Sequence, residues 1–272
     1  MKKWLVVIFG LVLSGLFVGC GEKEAENVAG EEQTEEKKEL RLVTDAAYAP
    51  LEYMEGDDIV GFDIDFIKAV AEEAGYELEI EHVGWEPIFV EIEGGTADLA
   101  VSSISIRPDR QENYDFSYPY FLSTNKILVR EGSDIKSAVD LKDKVVAVQN
   151  GTTGHLAAEQ ILGVDNPNLK KFDNNNFAIQ ELISGGADAV VADNAVVEEY
   201  VKNNPDQNLV IIEDPDAFEA EYYGILFQKG SPLVADFNKA IQTIFDNGVY
   251  TEIYKKWFGV EPDIEHLKSL QE

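Results

Sequence analysis

Asp98-Leu-Ala-Val-Ser102-Ser103-Ile-Ser105-Ile-Arg-Pro-Asp-Arg110 passes from the end of an apolar strand, through a serine-rich loop, into a helix that Pro108 opens. That order puts a loop at a strand's carboxyl end, where open α/β sheets hold small ligands. Ser102, Ser103 and Ser105 supply hydroxyls and Arg110 a planar fork of donors, a set that matches a carboxylate. Alone, the segment reads equally well as a surface loop with a solvated arginine. The flanking pattern decides between the two.

On the amino-terminal side, residues 40–44 read as a strand. Residues 62–74 repeat their apolar positions at helical spacing through Ile64, Ile67, Val70 and Ala71, and stop at Gly75. Residues 77–83 alternate as a strand, 86–93 form a short helix and 99–101 the next strand, giving a βαβαβ unit with a mostly parallel sheet. After an apolar stretch at 126–130 the alternation restarts, with strands at 144–148, 169–172 and 189–192 and helices at 153–162, 177–184 and 195–202. A strand at 223–227 and amphipathic helices at 233–247 and 250–258 complete the chain. The expectation is therefore an α/β protein of two lobes, 39–125 with 223–272 and 126–222, each a mostly parallel sheet flanked by helices. Two extended segments, 124–129 and 222–227, cross between the lobes as hinge strands, and the cleft between hinged lobes is a standard ligand site.

The first residues set the expected location. Met1-Lys2-Lys3, an apolar run over 4–18 and Gly19-Cys20 read as an export signal peptide, 1–19, because the run falls short of the about 20 residues of a membrane span. Phe17 stands where lipoprotein-type cleavage sites usually carry Leu. Cys20 is then the lipidated, palmitate-bearing first residue of the mature chain, and 20–38 a flexible acidic tether. The only cysteine leaves no internal disulfide. The 22 basic and 52 acidic residues give a net charge of −30, which repels nucleic acid and anionic lipid. His82, His155 and His266 are scattered and no HExxH, CxxC or G-x-S-x-G occurs, so neither a metal, a cofactor nor catalysis is expected.

Several residues are candidates for a site. Asp193 follows an apolar strand and precedes a helix, so it is either an N-cap or a cleft carboxylate that pairs with an ammonium group. Gln149-Asn150-Gly151-Thr152-Thr153-Gly154 joins a strand to a helix start, which favours an anion, yet it lacks the lysine of a P-loop and dinucleotide spacing. Tyr48 and Trp85 lie beside strand ends, as core or as ligand-stacking rings, with Asp45 and Glu52 adding negative charge nearby. Phe237, Phe245, Tyr250, Tyr254, Trp257 and Phe258 are spaced as helix core faces.

Taken together, Thr44-Asp45-Ala-Ala-Tyr48-Ala-Pro50, Gly61-Phe62-Asp63-Ile64-Asp65, the 102–110 segment, Asp115-Phe116-Ser117-Tyr118-Pro119-Tyr120 and Tyr254-Lys-Lys-Trp257-Phe258-Gly259 resemble the polar amino-acid-binding proteins of ABC importers. Gly151-Thr152-Thr153-Gly154, Trp85-Glu86-Pro87 and Ala192-Asp193-Asn194-Ala195-Val196 look most like the lipoproteins for arginine, lysine and histidine. The resemblance implies the type II periplasmic-binding-protein fold and a monomer that delivers an L-amino acid to permease and ATPase subunits. It further implies that Arg110, with Ser105 and Thr153, holds the α-carboxylate and that Asp193, with Ser103, pairs with the α-ammonium. Tyr48 and Trp85 would stack on the side chain and Asp45, with Glu52 or Gln149, would meet its tip, while Ser102 and Thr152 complete the lining. Glutamine binders share the Asp45 carboxylate but tend to carry Lys where this chain has Gln149, which tilts the choice toward a cation. A receptor for glutamine or another neutral polar amino acid is the alternative. A cyclohexadienyl dehydratase-like enzyme, with Glu52 or Glu86 as its acid, is another, and a receptor sensor lobe is disfavoured on the expectation that no membrane span follows Glu272.

Overall fold

The computed structural model describes residues 38–271. The expected leader 1–19, Cys20 and all but the last residue of the expected tether lie outside them, and Lys38 already belongs to a strand. The first half runs β1 (Lys38–Thr44), β2 (Ala47–Tyr48), β3 (Glu52–Glu55), β4 (Asp58–Val60), α1 (Phe62–Ala74), β5 (Tyr76–His82), α2 (Trp85–Gly94), β6 (Leu99–Ala100), α3 (Pro108–Asn113), β7 (Tyr114–Phe116) and β8 (Phe121–Ser123). There follow β9 (Asn125–Arg130), β10 (Val146–Gln149), α4 (Thr153–Leu162), β11 (Leu169–Phe172), α5 (Asn175–Ile183), β12 (Ala189–Asp193), α6 (Asn194–Asn203) and β13 (Leu209–Ile212). β14 (Glu221–Tyr223), β15 (Leu226–Gln228), α7 (Leu233–Asp246), α8 (Val249–Phe258) and α9 (Ile264–Ser269) finish the chain.

Two five-stranded sheets organise two lobes. The first has the order β5-β1-β6-β15-β7, with β1 parallel to β5 and β6, and β15 antiparallel to β6 and β7. The second has the order β11-β10-β12-β9-β13, with β10 parallel to β11 and β12, and β9 antiparallel to β12 and β13. Helices cover both faces of each sheet, so their central strands are continuously apolar. In β9, Ile127 and Val129 join the core on one face of the second sheet, and Leu128 the core on the other, as the two-residue period of a strand requires.

α1 forms because its apolar positions make one stripe. Phe62, Ile64, Phe66, Ile67, Val70 and Ala71 are buried, Asp63 and Asp65 lie at the positive amino-terminal end, and Gly75 ends the helix at φ 83°. Gly61 admits the chain to the helix at φ 138°, where a Cβ would lie 2.1 Å from the Leu51 carbonyl oxygen, so only glycine fits. The aromatics of α7 and α8 are core, as their spacing indicates: Phe237, Phe245 and Tyr250 are buried with Phe62, Phe66 and Tyr120.

Two expectations need correction. The strand expected at 223–227 is broken: β14 pairs with β8, and β15 joins the first sheet. The break falls at Gly224, where a Cβ would lie 2.9 Å from the Ile106 side chain and 3.1 Å from the Phe116 ring, and the Ile225 N–H turns to the Ser117 hydroxyl at 2.9 Å. Second, the expected hinge segment 124–129 lies within the second sheet as β9, and the antiparallel pair β8–β14 is what links the sheets. The β2-β3-β4 meander and α9 had no counterpart in the sequence reading.

Candidate functional site

The site collects where strands end. Asp45 follows β1, Ser102, Ser103 and Ser105 follow β6, Gln149 ends β10, and Asp193 ends β12. Trp85 opens α2, Arg110 sits in α3, Thr152 and Thr153 open α4, and the meander brings in Tyr48 and Glu52. These twelve residues line one cavity that encloses about 310 Å³ of space between its walls. Every residue expected from the sequence thus faces the same space, although several hydroxyls are used differently from the roles the resemblance implied.

Arg110 is buried and donates to the carbonyls of Ser105 at 3.0 Å and, across the cleft, Gly151 at 3.2 Å. Its guanidinium carbon lies 5.3 Å from the centre of the Trp85 ring and 5.2 Å from that of Phe89. Trp85 therefore spends one face on the arginine, in addition to any stacking on a ligand. Burial, with the neighbouring Arg107 charge, pulls the guanidinium down to about 9, so it remains a cation at neutral pH. Neutral carbonyls are its only hydrogen-bond acceptors among the described residues, and no carboxylate lies within ion-pair distance. Such a group calls for an anion.

Asp193 occupies the N-cap position of α6 but makes no capping bond. Its Oδ2 accepts instead from the Tyr223 hydroxyl. Burial and the nearby Glu221 charge push its carboxyl up to about 7. Ser103, expected to help it, sits at φ 50° and donates to Glu52 at 3.1 Å and Asp63 at 3.5 Å. Ser105, expected beside Arg110, donates to Glu221 at 2.6 Å. In α4 the cap is Thr152, whose hydroxyl accepts from the His155 N–H at 3.2 Å, so Thr153 is not the cap. The Thr153 hydroxyl accepts from Asn125 at 3.2 Å, while its N–H is one of the helix-start amides with no intrahelical acceptor.

At the other end of the cavity, Asp45 accepts from the Gln149 side-chain amide at 3.0 Å, and burial raises its pKa against that bond. His82 Nδ1 is 3.9 Å away, but it accepts from the Ala46 N–H at 2.9 Å and so has no proton to give Asp45. Glu52 accepts from Ser102 at 3.0 Å, and burial beside the Asp63 charge raises its pKa far above the carboxylate range. Asp63, with donors from the Ser103 N–H and the Tyr120 hydroxyl at 2.8 Å each, is raised only to about 6. Of the pair, Glu52 is the one that burial drives harder toward the neutral form, because Asp63 has the backbone N–H and the phenol as donors.

The lobes touch across the cleft through Gln149–Asp45, Arg110–Gly151, an Asn150–Glu86 bond of 2.6 Å and an Asn176–Ala47 bond of 3.1 Å. This is a closed arrangement. Sequence reasoning missed Glu221, Tyr223, Asn125 and Asn175, which hold the lining side chains from behind; Tyr223 lay in a segment read only as strand, and Glu221 just before it.

Comparison with known proteins agrees with this geometry. Residues 40–260 match the family model of bacterial extracellular solute-binding proteins, family 3. The chain is 36% identical to a probable histidine-binding protein of Neisseria gonorrhoeae, over 96% of this chain and 97% of the relative. It is 34% identical to the arginine-binding extracellular protein ArtP of Bacillus subtilis, over 96% and 100%. The crystal structure of the arginine-, lysine-, histidine-binding protein ArtJ of Geobacillus stearothermophilus superposes with a TM-score of 0.83 at 49% identity, covering 85% of this chain and all of that one. The architecture is the type II periplasmic-binding-protein fold, and the chain belongs to the bacterial extracellular solute-binding proteins of family 3.

Proposed function

We propose that the chain is the ligand-capturing component of an ABC importer and closes its lobes on one L-amino acid with a cationic side chain. The observation that carries this reading is the charge inventory of the cavity. Arg110 is a buried cation with no carboxylate partner, Asp193 is a buried carboxyl with no cation in contact, Asp45 is a buried carboxyl whose one basic neighbour is His82 at 3.9 Å, and burial drives Glu52 toward its neutral form. The complement is a molecule with one anionic and two cationic groups, with an ammonium near Asp193 and the second cation near Asp45. Arginine, lysine and protonated histidine have that composition. A neutral amino acid leaves one ionised carboxylate buried without a partner.

The relatives described above are named as binding proteins, and the cavity supports binding over catalysis. Both Glu52 oxygens accept serine hydroxyls, while Glu86 is tied to Asn150. Neither carboxyl is aimed at a ligand as an acid. The proposal extends to the moving bodies, 39–125 with 223–272 against 126–222, to anchoring by lipid on Cys20 at the outer face of the cytoplasmic membrane (the periplasm, where an outer membrane exists), and to action as a monomer. One observation favours glutamine as a second reading: Asp45 already accepts an amide N–H, from Gln149, and can take one from a ligand.

A thermal-shift panel of the common L-amino acids and prephenate-like acids tests the reading, since a ligand of the native state raises the melting temperature by mass action. Arginine, lysine or histidine should give the largest shift. A larger shift with glutamine, or with an acid lacking an amine, overturns it.

A further inference from the structure

Asn175 is buried in the first turn of α5, behind the cavity wall, with 2% of its surface exposed. Its Nδ2 donates to Gln149 Oε1 at 3.0 Å. Gln149 Nε2 in turn donates to Asp45 Oδ2 at 3.0 Å and to the Asp173 carbonyl at 3.2 Å. The chemistry of those two acceptors fixes which end of the Gln149 amide is nitrogen: reversing it would place an amide oxygen against a carboxylate and a carbonyl. With the nitrogen so placed, the oxygen must face Asn175, and only a donor satisfies it there. Asn175 does this while its own Oδ1 is buried without a partner, a costly arrangement whose compensation is the donated bond.

We propose that Asn175 is a positioning residue for ligand specificity: by holding the Gln149 oxygen it keeps the Gln149 nitrogen on Asp45, so that Asp45 stands as an oriented carboxylate for the ligand's distal cation. The proposal rests on the basic-ligand reading above and assigns its selectivity to a residue that does not line the cavity. Asp45 belongs to the first lobe and Gln149 and Asn175 to the second, so the relay is assembled only when the cleft closes. The groups that face Asp45 are then Gln149, the His82 ring edge and the neutral Glu52. His82 Nδ1, occupied by the Ala46 N–H, makes no hydrogen bond to Asp45. Without Asn175 the Gln149 oxygen is left buried without a donor, which loosens the amide's hold on Asp45 and blurs the preference for charge over a neutral isostere.

Calorimetric titration with L-arginine and its uncharged isostere L-citrulline reads this directly, because the two ligands differ at the distal group. Asn175→Ala should lower the arginine-over-citrulline preference about tenfold, the worth of one buried hydrogen bond at a charged group. In a Gln149→Met background the same substitution should change the preference no further, since the two residues act in series. Asn175→Asp, equal in size, serves if the alanine variant does not fold, and should lower the preference at least as much. A preference unchanged by either Asn175 variant, or an equal fall in the Gln149→Met background, overturns the relay and leaves the basic-ligand reading standing. A wild-type chain that does not prefer arginine to citrulline overturns that reading and the relay with it.

Discussion

Replacing Asp193 by Asn keeps the shape of the side chain and removes its charge, which isolates the pairing with the ligand's ammonium. The variant leaves that ammonium buried beside a neutral amide, and breaking a buried pair in this way costs about 3–5 kcal/mol, or two to more than three decades in affinity. The wild type does not realise all of this at every pH. With a carboxyl pushed up to about 7 in the free protein, binding a cation requires Asp193 to lose its proton. That costs almost nothing at pH 8 and about 1 kcal/mol at pH 6. Wild-type affinity for arginine should therefore fall several-fold from pH 8 to pH 6, and the loss caused by Asp193→Asn should shrink by about 1 kcal/mol over the same range. The free protein should respond in the opposite sense. A carboxyl whose folded pKa is raised binds its proton more tightly folded than unfolded, so its contribution to stability falls as pH rises from about 4 to about 7; Asp193→Asn, which cannot ionise, should raise the melting temperature of the unliganded protein at pH 8. Isothermal titration at both pH values and thermal melts without ligand measure both effects. Binding within threefold of wild type at pH 8, or a wild-type affinity flat between pH 6 and pH 8, would refute the assignment of the ammonium to Asp193.

Other substitutions separate the remaining roles. Arg110→Met should cost about 3–5 kcal/mol in arginine affinity, and Arg110→Lys should not restore it, because an ammonium lacks the planar fork that reaches two carbonyls while resting on Trp85 and Phe89; full recovery by lysine in calorimetry would count against the bidentate role. Glu52→Gln should change arginine affinity by less than about 1 kcal/mol, since the carboxyl is already neutral, whereas a loss above about 3 kcal/mol in the same titration would mean that Glu52 is the ionised partner of the ligand. Gly61→Ala should lower folding stability by more than about 3 kcal/mol in urea melts, because its Cβ meets the Leu51 carbonyl; a melt within about 1 kcal/mol of wild type would show that the α1 entry can adjust.

The regular elements were legible in the sequence because their signals are local. The α1 stripe ends at Gly75 as its spacing and glycine indicate, and β1, β5, β6, β9, β10, β11 and β12 fall within two residues of their expected positions, whereas β7 and β13 had no counterpart in the sequence reading. The site was legible for the same reason: each lining residue occupies a strand end or a helix start, positions a sequence marks by itself. What those residues do with their polar atoms was not legible. Ser105 turns to Glu221, 116 residues away, and Tyr223 reaches Asp193 from a crossing strand. Such pairings depend on how the lobes meet. The β2-β3-β4 meander was missed because strands of two to four residues leave too little alternation to read, and the break at Gly224 because the strands on its two sides take their partners, β8 and β6, from distant parts of the chain.

The lobes are joined through β8 and β14, which lie side by side as an antiparallel ribbon. A single connecting strand would let one body swivel about the other, and closure would be a search over several angles. A paired ribbon resists torsion and bends about one line, which reduces that search to a single coordinate. The orientational freedom that two separate halves would surrender on meeting is given up once, when the chain folds. An amino acid entering the cleft then has only to bias one angle, so its few contacts can be spent on holding the cleft shut and on telling one side chain from another.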